Sequence, residues 1–487
     1  MEEMVEKDDV QGIIFKGYAR LEWASYILLH FTEPAPARKW IADLSTRILS
    51  AGTSSRDQST AIHIAFTCPG LAKLGLSAEE LATFPREFTE GMVTEHRQRI
   101  LGDCNEGEPA RWIWGGPNDT IEIHAMLLVY ALDNATMVEL YFSEKILWEQ
   151  AGIQSVHVME AHFLPDGKEH FGFRDGISQP EIKFAGRDES SHEANHINPG
   201  EFLFGYKNEY EKYTYSPNIS PENDPQNLLP PDKNFPQMKD LGRNGSMMVF
   251  RQLHQQVQAF WQFMQAHTDQ APSSIKNPLE YVASKMMGRW PNGAPLTKCP
   301  VEPLSEFEDC NDFGYAQKDF DGFSCPVGAH IRRVNPRDNF LRDSTGNPEK
   351  DIKKSQVFMK RFRVIRRGRP YGPPLAKSML PQDILKTEDS GEDRGIFFMC
   401  FNSNIGRQFE LIHQTWINNP KLAELYEDPD PIVGFPEMME NGAVSSFTMQ
   451  AYPVRRKIEN IPRFVWARGG GYFFMPGIKA LQYLGSR

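Results

Sequence analysis

The amino-acid sequence predicts an α+β protein built from two ferredoxin-like units, each an antiparallel sheet flanked by helices. The first half of the chain alternates strand-like apolar runs with amphipathic helical runs, and the second half repeats that style after a proline-rich stretch. The length of 487 residues exceeds what one hydrophobic core usually serves, so two domains are expected.

The first predicted unit is a strand–helix–strand pattern that occurs twice. Its first helix carries Trp40, Ile41 and Leu44 on one face, as a period of 3.6 residues requires. The expected elements are a strand over 24–32, a helix over 36–51, strands over 60–67 and 120–132, a helix capped near Asp133 and ending near Gln150, and a strand over 155–164. With a helical insertion in the middle, this order is a ferredoxin-like pattern.

The second predicted unit follows a surface connection. Residues 205–245 hold six prolines among Asn, Asp, Lys and Tyr, which is typical of a long loop between domains. We therefore expect an amino-terminal domain over 1–204, a connection over 205–245 and a carboxy-terminal domain over 246–487. The expected strands of the second unit are 246–253, 361–366, 395–401 and 464–474, and the expected helical faces are Val257, Phe260, Trp261, Met264 and Ile405, Phe409, Ile412, Trp416.

Composition narrows the classes of function. A formal net charge of −11 argues against nucleic acid as the main partner, because phosphate binding needs a basic face. The acidic amino terminus lacks the apolar run of a signal peptide, and no segment has the apolar length of a membrane span. The six cysteines include no Cys-x-x-Cys pair, which favours reduced thiols. We expect a cytoplasmic protein without a membrane partner; a homo-oligomer is left open.

The stretch Phe171–Ile177 presents one carboxylate between glycines. Glycine lets a backbone approach a ligand closely, and Asp175 stands beside apolar side chains. Such an Asp is a candidate for a carboxylate with a shifted pKa. A loop in which Asp175 merely caps the next turn fits the same residues.

A second stretch carries a candidate metal ligand. His330 follows a loop of small residues and precedes Arg332, Arg333 and Arg337. A neutral imidazole ligates iron well, and guanidinium groups neutralise carboxylates. A core histidine beside a basic surface loop is the competing interpretation.

Two strand-like stretches complete the set of candidates. Residues 363–366 alternate so that Arg363 and Ile365 point one way and Val364 and Arg366 the other. An arginine on an inward face needs an anionic or polar partner, although a basic edge strand fits equally. Residues 394–402 are almost wholly apolar, which fits plain core as well as the wall of a cofactor pocket.

The segment His192–His196 fits the zinc-peptidase pattern His-Glu-x-x-His, so both a zinc site and a loop are considered for it. That pattern needs a helix so that both imidazoles share a face. Pro199 and Gly200 end any helix within a turn, and no apolar face precedes them. The sequence therefore favours a solvated loop over a zinc hydrolase.

Taken together, these stretches resemble the dye-decolorizing peroxidase family. Residues 67–76 and 88–103 resemble its amino-domain helical segments, and Gly172–Gly176 matches its Gly-x-x-Asp-Gly motif. His330 stands where the family's proximal haem ligand is expected. Residues 468–476 resemble the carboxy terminus of the larger members found in fungi and some bacteria. The resemblance runs from about Val10 to Leu481.

The resemblance implies two ferredoxin-like domains that hold haem b, mainly in the second domain, and oxidation of bulky aromatic donors such as dyes and phenols by hydrogen peroxide. His330 is then the iron ligand, Asp175 the distal acid–base group and Arg366 the distal cation. It further assigns Ile396 and Phe398 to a dry distal wall and Arg332 to a haem propionate. The alternative is a haem-handling protein of the same fold with little peroxidase turnover.

Three further expectations accompany this resemblance. Asp175 beside a cation stays ionised below neutrality, so we expect an acidic activity optimum. Family members place a carboxylate behind the proximal histidine, but residues 443–448, where we expect it, contain no acid, so this partner stays unassigned. Candidates for relaying electrons from the surface, each of which also fits ordinary packing, are Tyr371, Trp416, Tyr452, Trp466 and Tyr472.

Overall fold

The computed structural model describes residues 3–54, 58–185, 193–341, 344–435, 437–439 and 442–487. Its strands are β1 Trp23–Phe31, β2 Thr60–Phe66, β3 Ala125–Ala131, β4 Ile153–His162, β5 Glu181–Ile182, β6 His196–Ile197, β7 Asn218–Ile219, β8 Lys239–Asp240, β9 Ser246–Gln255, β10 Ile365–Arg366, β11 Arg369–Tyr371, β12 Gly395–Asn402, β13 Glu437–Met439, β14 Gly442–Val444, β15 Ser446–Met449, β16 Arg456–Glu459 and β17 Val465–Met475.

The α-helices of the described ranges are α1 Pro34–Ser45, α2 Cys68–Lys73, α3 Ala78–Leu81, α4 Arg86–Glu90, α5 Glu95–Leu101, α6 Asn134–Gln150, α7 Val257–Ala266, α8 Pro278–Met287, α9 His330–Val334, α10 Pro348–Lys360, α11 Pro381–Lys386 and α12 Ile478–Ser486. Two π-helical segments, Gly406–Glu410 and Ile412–Ile417, follow β12. Among the described residues, no helix is both long enough and apolar enough to cross a membrane.

The main sheet has nine strands, eight of which form two similar quartets. The first quartet has the spatial order β2-β3-β1-β4, and the second has β10-β12-β9-β17 with β11 also paired to β12. In each, the first and third strands along the chain are central and all neighbours are antiparallel. This arrangement confirms the predicted α+β class with ferredoxin-like halves.

The two quartets join through β17 and β2, where Phe474 pairs with Phe66. Because alternate side chains of a strand point to opposite faces, each face of the sheet builds its own apolar cluster. One face buries Ile27 with Val249, and the other buries Tyr26 with Met248. Each cluster therefore contains residues from both halves of the chain.

The predicted elements agree with the structure apart from their ends and one strand. Asp133 caps α6 as expected, since its Oδ1 accepts from the Thr136 N–H at 2.8 Å. The strand predicted over 361–366 is wrong except for Ile365–Arg366. Helix α10 continues to Lys360, and the N–H of Phe362 still bonds back to Met359 at 3.2 Å, so the preceding residues form the end of a helix.

Candidate active site

A cavity of about 310 Å³ brings together five of the six residues singled out from the sequence. Asp175, His330, Arg366, Ile396 and Phe398 all contribute to its wall. Four separate parts of the chain supply them, namely the glycine-rich loop, the start of α9, strand β10 and strand β12. The volume lies in the range of ligand sites.

The loop that carries Asp175 is held by Glu169. The Glu169 carboxylate accepts from the N–H groups of Phe171 at 2.9 Å and Phe173 at 3.0 Å. Gly172 has φ +89°, and a Cβ there would lie 2.8 Å from the Met379 carbonyl oxygen. The loop thus has little freedom, and it presents Asp175 in a defined position.

Asp175 is an ionised carboxylate beside a guanidinium. Its Oδ1 accepts from the Gly176 N–H at 2.6 Å and from Arg366 Nη1 at 3.0 Å. Loss of contact with water disfavours the charged form of Asp175. The positive charge of Arg366 and these hydrogen bonds outweigh that effect and lower the pKa of Asp175. The side chain is 44% exposed, and it faces the cavity.

Arg366 reaches the cavity through the pairing of β10 with β12. It lies opposite Cys400, and its N–H donates to Gln179 Oε1 at 3.0 Å. Ile365 packs into the core on the opposite side, as alternation predicts. Arg363 also lines the cavity, contrary to the predicted alternation, because it precedes the strand.

Alternation along β12 separates a cavity face from a core face. Ile396 and Phe398 line the cavity, whereas Phe397 and Met399 are buried in the apolar cluster behind them. The apolar stretch 394–402 is therefore both core and cavity wall, which composition alone did not separate.

His330 is the first residue of α9, and its two ring nitrogens have different surroundings. Nδ1 lies 2.9 Å from Asp430 Oδ2. A hydrogen bond from Nδ1–H to that carboxylate leaves Nε2 with a free electron pair, which is the form that ligates a metal. His330 contributes to the cavity wall, so its imidazole is available to a bound group.

Asp430 is the partner that sequence reasoning missed. It is fully buried, and its Oδ1 accepts from the N–H groups of Ile432 at 2.9 Å and Val433 at 3.1 Å. Burial opposes ionisation, but His330 and Arg333 lower its pKa. Sequence analysis left this partner unassigned, because residues 443–448 contain no acid; the acid precedes that segment, at an aspartate between two prolines that belongs to no recognised motif.

Arg332 lies away from the cavity wall. Its guanidinium donates to the carbonyl oxygens of Cys325 at 2.7 Å and Phe320 at 2.9 Å, and it pairs with Asp319 at 3.3 Å. The helical turn of α9 points Arg332 and His330 in different directions. The structure therefore does not bring Arg332 together with the other candidates.

Among the other arginines that line the cavity, Arg289 and Arg363 are buried and Arg337 is half-buried. Burial lowers the pKa of Arg289 to about 10 and that of Arg363 to about 9. Within the described residues none of the three forms a carboxylate ion pair, and Arg363 Nη2 is buried without a hydrogen-bond partner. Buried cations without counter-charge fit a ligand that brings carboxylates.

The cavity as a whole suits an iron porphyrin. It offers one imidazole with a free nitrogen, an apolar wall at Ile396 and Phe398, and guanidinium groups for the two propionates. These are the donor types that a haem needs, and they come from residues whose positions the fold sets independently.

Of the remaining sequence candidates that the structure describes, only Trp466 lines the cavity. His192 is outside the described residues, and His196 lies in β6 with its Nε2 3.4 Å from Glu181. Among the proposed relay residues, Trp466 lines the cavity, Tyr452 is 87% exposed, and Tyr371, Trp416 and Tyr472 are buried.

Known proteins of similar sequence and structure share one description. A dye-decolorizing peroxidase of Mycena epipterygia is 30% identical over 478 residues, which cover 90% of this chain and 78% of that relative. Peroxidase 2 of Mycetinis scorodonius is 28% identical over 501 residues, covering 97% and 86%. A solved ancestral D-type dye-decolorizing peroxidase is 25% identical, covers 99% of both chains and superposes with a TM-score of 0.76. No protein-family model matches the chain.

Proposed function

The chain belongs to the dye-decolorizing peroxidase family and is a haem-dependent peroxidase, in which we propose that His330, Asp175 and Arg366 carry the reaction. One observation supports this assignment above all. An imidazole with a free nitrogen and an ionised carboxylate bonded to a guanidinium contribute to one cavity with an apolar wall.

The proposed cofactor is haem b, bound with its iron on His330 Nε2. Arg337 and Arg363 replace Arg332 as our choice for the propionates, because both line the cavity and Arg332 does not. Ile396 and Phe398 would form an apolar wall beside the bound group and limit the access of water to it. Hydrogen bonding to Asp430 orients the His330 ring and would make the imidazole a stronger electron donor to the iron.

The proposed chemistry needs one proton carrier and one fixed positive charge. Bound haem iron supplies the redox chemistry with hydrogen peroxide. Asp175, which faces the cavity, would take a proton from one oxygen of hydrogen peroxide and return it to the other, so that this oxygen can leave as water. Arg366 stabilises the negative charge that develops as the O–O bond breaks, and the dry wall strengthens that effect.

The proposed donors are bulky aromatic compounds such as dyes and phenols. The relatives named as dye-decolorizing peroxidases support dyes, and a similar solved structure is a complex with 2,6-dimethoxyphenol. The alternative of a haem-handling protein with little turnover is disfavoured, since the family is one of enzymes and Asp175 has the position and charge of a proton carrier.

The test compares two histidines of the same cavity. We expect His330→Gln to lose the haem Soret band or to change its position, because the imidazole ligand is gone. His413 also lines the cavity, but its pKa is lowered to about 3 by burial, and we expect His413→Gln to keep the wild-type spectrum. Spectra of reconstituted variants decide this, and a normal Soret band in His330→Gln would overturn the ligand assignment.

A further inference from the structure

We propose that Tyr472 is a buried redox residue of this peroxidase and that Glu410 takes its phenolic proton when Tyr472 gives up an electron. The inference rests on the proposed function, because the oxidising equivalent comes from peroxide reacting at the haem cavity. It gives a function to the buried cluster of Tyr472, Glu410 and Arg97, which binds neither haem nor peroxide.

The hydroxyl of Tyr472 has a dedicated proton acceptor. Tyr472 lies on β17 opposite Val249 and is 4% exposed. Its Oη donates to Glu410 Oε1 at 2.8 Å, within the range for direct proton transfer. Oxidation of a phenol releases a proton, and a buried phenol without an acceptor would have to hold an uncompensated charge.

Packed aromatic rings connect Tyr472 with the cavity. The Tyr472 ring lies 6.2 Å from that of Phe409, and the Phe409 ring lies 4.6 Å from that of His413, measured between centroids. Phe409 and His413 both line the cavity. Tyr472 is thus one aromatic layer behind the cavity wall, which suits electron transfer without contact to peroxide.

Glu410 is equipped to accept a proton and to return it. Burial raises its pKa, and Glu87 adds to that effect, whereas Tyr472 and Arg97 oppose it. Arg97 Nε lies 2.8 Å from Glu410 Oε1, and Arg97 is itself 5% exposed. Arg97 cannot pass a proton onward, because an arginine keeps its own protons. A proton accepted by Glu410 therefore stays beside Tyr472.

A series of ion pairs connects Glu410 with the protein surface. Arg97 Nη1 lies 2.5 Å from Glu90 Oε2, and Glu90 also pairs with Arg86, which is 84% exposed. Arg251 contributes a further positive charge facing Tyr472. These groups keep their charges during the reaction, so only the Tyr472–Glu410 proton has to move.

Two other buried tyrosines, Tyr315 and Tyr371, lack a comparable proton acceptor. Tyr315 lines the cavity, but its buried hydroxyl has no hydrogen-bond partner in the described structure. Tyr371 donates to Asp393 over a longer 3.3 Å. His254 and Arg468 share that carboxylate and lower its pKa, so Asp393 is a weaker base than Glu410.

The step balances in both directions. Tyr472 loses one electron to the peroxide-oxidised cofactor and one proton to Glu410, which leaves a neutral phenoxyl radical beside a neutral carboxylic acid. An aromatic donor then supplies one electron, the proton returns from Glu410, and Tyr472 is restored. The donor's own proton passes to solvent.

The experiment is freeze-quench electron paramagnetic resonance on haem-loaded protein mixed with stoichiometric peroxide and no donor. We expect a tyrosyl signal that narrows when tyrosine is ring-deuterated and that is absent from Tyr472→Phe. Tyr315→Phe is the matched control and should keep the signal. Glu410→Gln preserves shape but accepts no proton, so radical formation should slow by roughly 100-fold, the lower end for a positioned proton acceptor.

Three results would overturn the inference: no tyrosyl signal in the wild type, a full signal in Tyr472→Phe, or an unchanged rate in Glu410→Gln. If a variant fails to fold, wild-type protein in deuterated water decides, since a radical bonded to protonated Glu410 must show coupling to an exchangeable deuteron. A peroxide-induced change in the haem spectrum without a radical refutes this inference alone, whereas no spectral change refutes the proposed function.

Discussion

At the scale of single residues, the site depends on two carboxylates that remain ionised in protein surroundings. Asp175 is held charged by Arg366 and the Gly176 N–H, and Asp430 by His330 and two backbone N–H groups. Each carboxylate therefore has the donors that its charge requires. The two lie on different elements, and we propose different roles for them: Asp175 transfers protons and Asp430 orients the imidazole of His330.

Replacing Arg366 by Leu should shift the pH dependence of the reaction with peroxide. Arg366 lowers the pKa of Asp175, so its loss raises that pKa and moves the acid-side fall in rate to higher pH. The rate itself should fall by roughly 100-fold, as for loss of one charge-stabilising donor. Stopped-flow rates across pH measure both effects.

Arg174→Leu is the control for that variant, because Arg174 pairs with Glu308 and Asp309 instead of Asp175. It should retain the wild-type profile. The wild type itself should have an acidic optimum, since Asp175 stays ionised below its usual pKa. A flat or alkaline profile would count against Asp175 as the acid–base group.

Asp430→Asn should raise the reduction potential of the bound haem. A carboxylate on Nδ1 makes the imidazole a stronger electron donor to iron, and the amide does so less. Asp428→Asn is the matched control, because Asp428 is also buried but binds the Thr448 N–H at 2.8 Å. Spectroelectrochemistry compares the two; equal potentials in both variants and the wild type would contradict the role of Asp430.

At the scale of elements, a π-helix determines which side chains reach the cavity. The N–H of Glu410 bonds to Ile405 and that of Asn418 to His413, both at 2.9 Å and five residues apart. The wide turns place Phe409 and His413 on the cavity and Glu410 on Tyr472. The apolar spacing predicted an amphipathic helix here, but periodicity does not distinguish a π-helix from an α-helix.

Gly172→Ala should slow the reaction with peroxide while haem is retained. The new Cβ would meet the Met379 carbonyl oxygen at 2.8 Å, and the loop carrying Asp175 has to shift. Gly346→Ala is the control, because Gly346 also has a positive φ of +68° but nothing within 4 Å of the new Cβ. Gly346→Ala should cost about 1–2 kcal/mol of stability, the strain of a side chain in the left-handed region. Equal peroxide rates in both variants would refute the proposed rigidity of the loop.

At the scale of the whole molecule, the two ferredoxin-like halves share one sheet and two apolar clusters. Strand β17 comes from the end of the chain and lies between β9 and β2. The site is formed mainly by the second half, but Asp175 comes from the loop that ends the first. Neither half alone contains both Asp175 and His330.

Unfolding of the haem-free protein should therefore be one cooperative transition, and a fragment of residues 1–204 should not fold independently. Loss of either half exposes apolar residues that the other half covers. Near-ultraviolet and far-ultraviolet circular dichroism in denaturant should give coincident curves. Two separated transitions would instead support independent domains over 1–204 and 246–487.

The fold class and the chemical nature of the site could be predicted from the sequence because both rest on local signals. Period-two and period-3.6 patterns marked the central strands and helices, and Gly172–Gly176 and His330 were marked by motifs. Asp430 and the pairing of Tyr472 with Glu410 depended on the folded chain. Asp430 is 100 residues from His330, and Tyr472 is 62 from Glu410, so only strand register and helix packing bring them together. The same packing directs Arg332 away from the cavity and Arg363 into it, since a side chain's direction follows from its own turn and not from its neighbours in sequence.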